Sequence, residues 1–133
     1  MLISEIYKFK KNKMLNLKVY KYLQSIPKGK VVTYGQIAED LGNKNLSRVI
    51  GNILHINPDP IKYPCYKVVN YKGELSKNFG DGGINIQKER LEKDGIIVNN
   101  YKVDLKIYQY KKPSKNYLIE NYFENKIKNQ NII

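Results

Sequence analysis

The sequence predicts a mostly α-helical domain with short β elements, organised around a helix-turn-helix. Three observations predict it. Apolar residues recur at helical spacing over 16–25, with Leu17, Tyr20 and Leu23 in register and Val19 alongside. Two further helical stretches, 34–41 and about 46–55, are separated by Gly42 and the turn Asn43-Lys44-Asn45. The β elements are short: the β-branched triplet Val31-Val32-Thr33 has room only for an edge or a connector, and a short apolar strand starts after Cys65 at Val68-Val69.

Each element has a start or stop signal. Pro27-Lys28-Gly29-Lys30 ends the first helix. Thr33 is the expected N-cap of the second, with Gln36 three residues on as its capping-box partner, and Ile37 and Leu41 point inward. Gly42 stops it in the C′ position. The third helix opens at Leu46 or Ser47 and runs to about His55, with Val49, Ile50, Ile53 and Leu54 as its apolar residues. Asn57-Pro58-Asp59-Pro60 prevents continuation and makes a rigid corner. After Val69, 70–73 is a turn and 74–79 an irregular loop. Gly80-Asp81-Gly82-Gly83 lacks the Lys-Ser/Thr of a phosphate loop, so a nucleotide site is rejected. An amphipathic helix follows over 84–93. A hairpin is expected from Ile96-Ile97-Val98 and 101–105, turning at Asn99-Asn100.

The ends are less determined. Residues 1–13 form a basic N-terminal extension, whose Ile3, Ile6, Tyr7 and Phe9 are available for docking on the domain. The domain proper is expected over 14–108. The tail, 109–133, is polar and basic; a helix over 117–127, disorder, and pairing with another chain all stay open.

Composition narrows the function. The 133 residues suit one modest domain. No apolar run is long enough to span a membrane, and the N-terminus does not read as a signal peptide. One cysteine and one histidine make neither a disulfide nor an ordinary zinc site, and no cofactor or metal is called for. A reducing cytoplasm is the default compartment. Lys+Arg 24 against Asp+Glu 12 gives a net charge of +12, which favours a polyanion, nucleic acid first. Lysine enrichment from an A/T-biased genome gives the same excess. Only Arg48 and Arg90 are arginines, so their positions are informative.

The candidate chemistry sits at Tyr63-Pro64-Cys65-Tyr66-Lys67-Val68-Val69. A proline step fixes the backbone before the one cysteine, and Lys62 and Lys67 flank it as cations able to lower a thiol pKa. A lone cysteine is also often a small buried apolar residue. The corner at 57–60 links the helix-turn-helix directly to this thiol, an arrangement suited to chemistry on a base.

From about residue 19 to 95 the landmarks then accumulate: 26–31 (Ile-Pro-Lys-Gly-Lys-Val), 33–38 (Thr-Tyr-Gly-Gln-Ile-Ala), 47–51 (Ser-Arg-Val-Ile-Gly), Asn57-Pro58, 64–69, Gly73, Gly82-Gly83 and 91–95 (Leu-Glu-Lys-Asp-Gly). In order and spacing they resemble the C-terminal domain of O6-alkylguanine-DNA alkyltransferases and their alkyltransferase-like relatives. The resemblance implies a winged helix-turn-helix-like domain that binds double-stranded DNA through the minor groove and flips alkylated guanine into a pocket. It implies Cys65 as alkyl acceptor, Arg48 as the residue filling the space of the flipped base, and Ser47 and Asn52 as DNA contacts beside it. Tyr34 would press on the target phosphate and donate to the base. Asn57 would brace the turn before the cysteine. Pro64 and the Val68 carbonyl would border the base, and the Gly82-Gly83 loop would cover it. Other repair proteins are further candidate partners.

Several departures mark the chain. The family's Pro-Cys-His-Arg-Val is here Pro-Cys-Tyr-Lys-Val, so Tyr66 replaces the histidine that takes the thiol proton. Asp94 stands where a glutamate orients that histidine. Tyrosine is a poor base at neutral pH, and loss of a general base costs roughly 10²–10⁴-fold in rate; Lys67 or helix dipoles are the expected compensation, and His55, on the third helix, is not assigned the role. The 69–94 loop is slightly longer than usual, and the N-terminal domain of full-length members has no counterpart here. The expected function is therefore single-turnover alkyl transfer to Cys65, with Tyr66 and Asp94 as its altered partners. The alternatives are a lesion sensor without transfer and a plain DNA-binding module.

Overall fold

A computed structural model describes residues 2–112. The expected tail helix over 117–127 lies outside them. The elements in order are α1 (Ile3–Ser25), β1 (Val32–Thr33), α2 (Tyr34–Asp40), α3 (Ser47–His55), β2 (Val68–Val69), α4 (Ile84–Lys93) and α5 (Leu105–Tyr108). One-turn 3-10 segments, Lys44–Leu46 and Cys65–Lys67, precede α3 and β2. Mostly helical architecture with short strands is thus what forms. Among the described residues no helix is long and apolar enough to cross a membrane.

β1 and β2 pair in parallel, Val32 opposite Val68 and Thr33 opposite Val69. Parallel neighbours need a crossover, and α2 and α3 provide it. The small sheet divides the interior, because successive strand residues point to opposite faces. Val32 and Val68 join the larger core with Leu23, Ile37, Ile50, Ile53 and Leu54. Val31 and Val69 join a second core with Leu75, Leu91, Ile96 and Val103. Tyr66 packs against both.

The local signals around the helix pair act as expected. Thr33 Oγ1 accepts from Gln36 N at 3.0 Å while Gln36 Oε1 accepts from Thr33 N at 3.3 Å, a complete capping box. Gly42 leaves α2 with φ +95°, a conformation an L side chain resists. Leu41 is half-buried, and Val49 faces outward at 41% exposure.

Three expectations are corrected. The first helix starts at Ile3, well before residue 16, and residues 1–13 continue it without a break. Ile3, Ile6, Tyr7 and Phe9 do not dock and are exposed. The buried residues of α1, Val19, Tyr20, Tyr22 and Leu23, lie in its last two turns, and at about 1.5 Å of rise per residue Phe9 is already about 15 Å further along the axis. The hairpin after α4 shrinks to a tight turn: Asn99 and Lys102 exchange both backbone hydrogen bonds, and the residues with positive φ are Asn100 and Tyr101. The returning strand pairs instead with the loop before α4, through Leu75 N to Tyr101 O and Val103 N to Gly73 O, and Leu105 opens α5. Beyond α5 the chain still runs along β1, with Tyr110 N donating to Val31 O at 2.8 Å and Gln36 Nε2 donating to the Tyr110 carbonyl.

Candidate active site around Cys65

The thiol reaches its position through the elbow that follows α3. Asn57 Nδ2 donates to Tyr63 O at 2.7 Å, and Asn57 Oδ1 accepts from Asp59 N at 3.0 Å. Tyr63 stacks on Tyr20 of α1, ring centroids 4.7 Å apart. Cys65 N then donates to Tyr63 O at 2.7 Å, which tightens the chain into the 3-10 turn. A short polar brace and one aromatic stack therefore fix a cysteine that is 8% exposed.

Cys65 opens onto a cleft of about 330 Å³. Tyr34 of α2, Asn52 and His55 of α3, Val68, Phe79 and Gln87 are among its walls. The outer side of α3 carries Arg48 and Asn52, both exposed, with Ser47 half-buried at its first turn. The structure thus brings Tyr34, Asn52, Cys65 and Val68 to one cleft. Asn57 and Pro64 stand behind the thiol as braces, outside the lining. Gly82 and Gly83 also lie outside it, where they turn the chain into α4; the loop segment that does border the cleft is 78–80. Gly80 approaches α3 so closely that a Cβ there would stand 3.2 Å from the His55 carbonyl.

Electrostatics set the state of the sulfur. Burial pushes the Cys65 thiol up, against the Asn57 amide and the Arg90 charge, which lower it. The flanking lysines do not act as the sequence suggested. Lys67 is buried and donates its Nζ to Ile26 O at 2.9 Å, and that burial lowers its own pKa. Lys62 lies over the Tyr63 ring. The 3-10 turn at Cys65–Lys67 sends Lys67 toward the end of α1, away from the role of thiol cation.

Tyr66 is committed elsewhere as well. Its hydroxyl donates to Asp94 Oδ2 at 2.7 Å, and burial with that hydrogen bond raises its pKa. A phenol held as a donor is not a proton acceptor. Burial also raises the pKa of Tyr34, opposed by the Ser76 hydroxyl, so Tyr34 keeps its proton and is a hydrogen-bond donor into the cleft.

Two cleft residues had little sequence signal. Gln87, 1% exposed, donates Nε2 to Val68 O at 3.0 Å and Tyr66 O at 3.1 Å, and accepts from Ser76 N at 2.8 Å. Its spacing with Ile84 and Leu91 puts Gln87 on one side of the amphipathic helix, which is the only signal of its burial, and nothing in the sequence points to its backbone partners. His55 shares the cleft although its neighbours in sequence place it on a recognition-type helix. Among the described residues no His/Cys/Asp/Glu group is arranged to hold a metal.

Comparison with known proteins agrees with this geometry. Residues 14–96 match the family model described as the 6-O-methylguanine DNA methyltransferase, DNA binding domain. A bifunctional methyltransferase/endonuclease of Picrophilus torridus is 40% identical over 101 residues, which are 73% of this chain and 33% of that protein. The chain therefore spans about a third of that relative. Alkyltransferase-like protein 1 of Schizosaccharomyces pombe is 36% identical, over 71% of this chain and 92% of that protein. A crystal structure of S. pombe Atl1 with damaged DNA containing O6-carboxymethylguanine superimposes with a TM-score of 0.68 at 33% identity, covering 75% of this chain and 97% of that one. On the family model, the relatives and the shared fold, the chain belongs to the family of the 6-O-methylguanine DNA methyltransferase DNA-binding domain.

Proposed function

We propose that this chain binds alkylated double-stranded DNA through α3, admits an extruded O6-alkylguanine to the Cys65 cleft, and takes the alkyl group onto Cys65 Sγ. The observation that carries the reading is a thiol at the base of a nucleobase-sized cleft, immediately behind a helix whose outer face bears Arg48. Extrusion costs a few kcal/mol of stacking and pairing, and a planar guanidinium can fill the vacated stack better than an ammonium. Tyr34 then donates toward the purine, and Val68 offers its carbonyl. The sulfur attacks the alkyl carbon, a C–S bond forms and the C–O bond breaks. The thiol proton is balanced by the one that restored guanine carries on N1. Tyr66 remains a donor to Asp94, so the proton leaves on the cleft side, where His55 stands.

A second reading is lesion binding without transfer. It is favoured by the two features that work against ionisation: burial of the thiol, and a donor tyrosine where an adjacent imidazole would take the proton. Intact mass and peptide mapping after incubation with a duplex carrying one O6-methylguanine decide between them. One added methyl on Cys65, absent with plain guanine, supports transfer. Selective binding with no added methyl supports the sensor. No added methyl together with equal binding to damaged and undamaged duplex removes both.

A further inference from the structure

The chain has 24 basic residues, two of them arginine, and the DNA-reading role uses only Arg48. Arg90 lies on α4. Its Nη2 stands 2.6 Å from Asp81 Oδ2, and among the described residues this is the only ion pair. Its guanidinium lies 5.8 Å from the centroid of Phe79, a buried wall of the cleft. Gln87, one turn earlier on α4, holds the start of the same loop at Ser76 N. α4 thus grips residues 76–83 near both ends, Gln87 by hydrogen bonds and Arg90 by charge and ring contact.

We infer that Arg90 is a positioning residue for Cys65: it holds the Phe79–Asp81 wall on α4 and supplies the site's cation from there, while Asp81 sets how much of that charge reaches the sulfur. This wall faces a thiol whose adjacent residue is a tyrosine turned toward Asp94. The Arg90 charge favours the thiolate and the Asp81 charge disfavours it. The other groups around the sulfur are Tyr20 from α1, Tyr34 from α2, Asn57 from the elbow, and His55, which lines the same cleft from α3. Lys67 beside it is engaged with Ile26 O. The inference deepens the transfer reading by naming what tunes the nucleophile.

The test is the pH profile of Cys65 alkylation by iodoacetamide, followed by intact mass without DNA, in the native chain and on a His55→Gln background so that imidazole ionisation does not enter. Arg90→Gln is expected to move the midpoint upward and to slow labelling at neutral pH about threefold, since below the midpoint the thiolate fraction falls about tenfold for each pH unit by which the midpoint rises. Arg90→Lys keeps most of the native profile. Asp81→Asn moves the midpoint downward and speeds labelling. Opposite movements identify a charge effect, because both Arg90→Gln and Asp81→Asn break one ion pair and a purely mechanical latch would shift them together. Shifts in the same direction, or an unmoved midpoint in Arg90→Gln, overturn the inference. If a thermal melt shows Arg90→Gln unfolded, Asp81→Asn decides alone, an upward or absent shift overturning it. With no DNA present, the inference can fail while transfer to Cys65 succeeds, and the reverse.

Discussion

The outer face of α3 and the cleft behind it are built on opposite rules. Outside, Arg48 and Asn52 are exposed, and among the described residues Arg48 has no ion pair. Inside, Cys65 is almost sealed, and Asn57, Arg90 and Asp81, which act on its charge, come from the elbow, α4 and the loop before α4. A surface that reads a polyanion needs accessible charge with few internal ties. A nucleophile needs fixed geometry, and fixing it by burial works against its ionised form. Under the proposed function, binding and reactivity are therefore expected to be separable.

Substitutions test that separation. Cys65→Ala has the largest expected effect: the methyl adduct disappears altogether, while affinity for an O6-methylguanine duplex stays within about twofold by titration. A large loss of affinity would show that the two regions are one site. Tyr66→His comes next. Restoring an imidazole next to the thiol raises the single-turnover transfer rate by about 10²-fold. Tyr66→Phe leaves that rate near the native value and costs about 1 kcal/mol of stability in urea melts, from the lost hydrogen bond to Asp94. Arg48→Ala weakens lesion-duplex affinity about tenfold, out of the few kcal/mol that extrusion costs, and leaves iodoacetamide labelling of Cys65 unchanged. The smallest effect is in pH. A raised thiol pKa keeps the neutral form at neutral pH, so labelling of folded Cys65 starts below that of the unfolded chain and catches up as pH rises. Labelling of the folded chain that is faster at neutral pH would contradict the burial effect.

Much of the helix pair and its elbow was legible in order along the chain. Thr33 and Gln36 form their capping box between residues three apart, and Gly42 takes its C′ conformation locally. Asn57 braces a turn six residues long. Such contacts follow from short-range chemistry, so spacing reveals them. The cleft was legible only in part. Cys65, Tyr34, Asn52 and Val68 were named from motifs and do meet. Lys67 was misjudged because its sequence position beside the thiol says nothing about the direction of a side chain leaving a 3-10 turn. The hairpin at 99–100 failed because Asn99-Asn100 carries the turn signal, yet the strand that would pair with Ile96-Ile97-Val98 finds the 73–75 loop instead.

The helix-turn-helix, its caps and stops, the rigid elbow at 57–60 and the placement of a single thiol after it all follow from the chain's local chemistry. They depend on φ restrictions, short side-chain caps and apolar periodicity, all properties of neighbouring residues. Which groups surround the sulfur is a matter for the tertiary fold: Gln87 under Val68, Tyr66 on Asp94, His55 across the cleft, and Arg90 paired with Asp81. The first two of these contacts join residues 19 and 28 apart in the chain, where the free energy comes from packing two cores on either side of one short parallel strand pair. Direction and burial there belong to the assembled core, and no local pattern carries them.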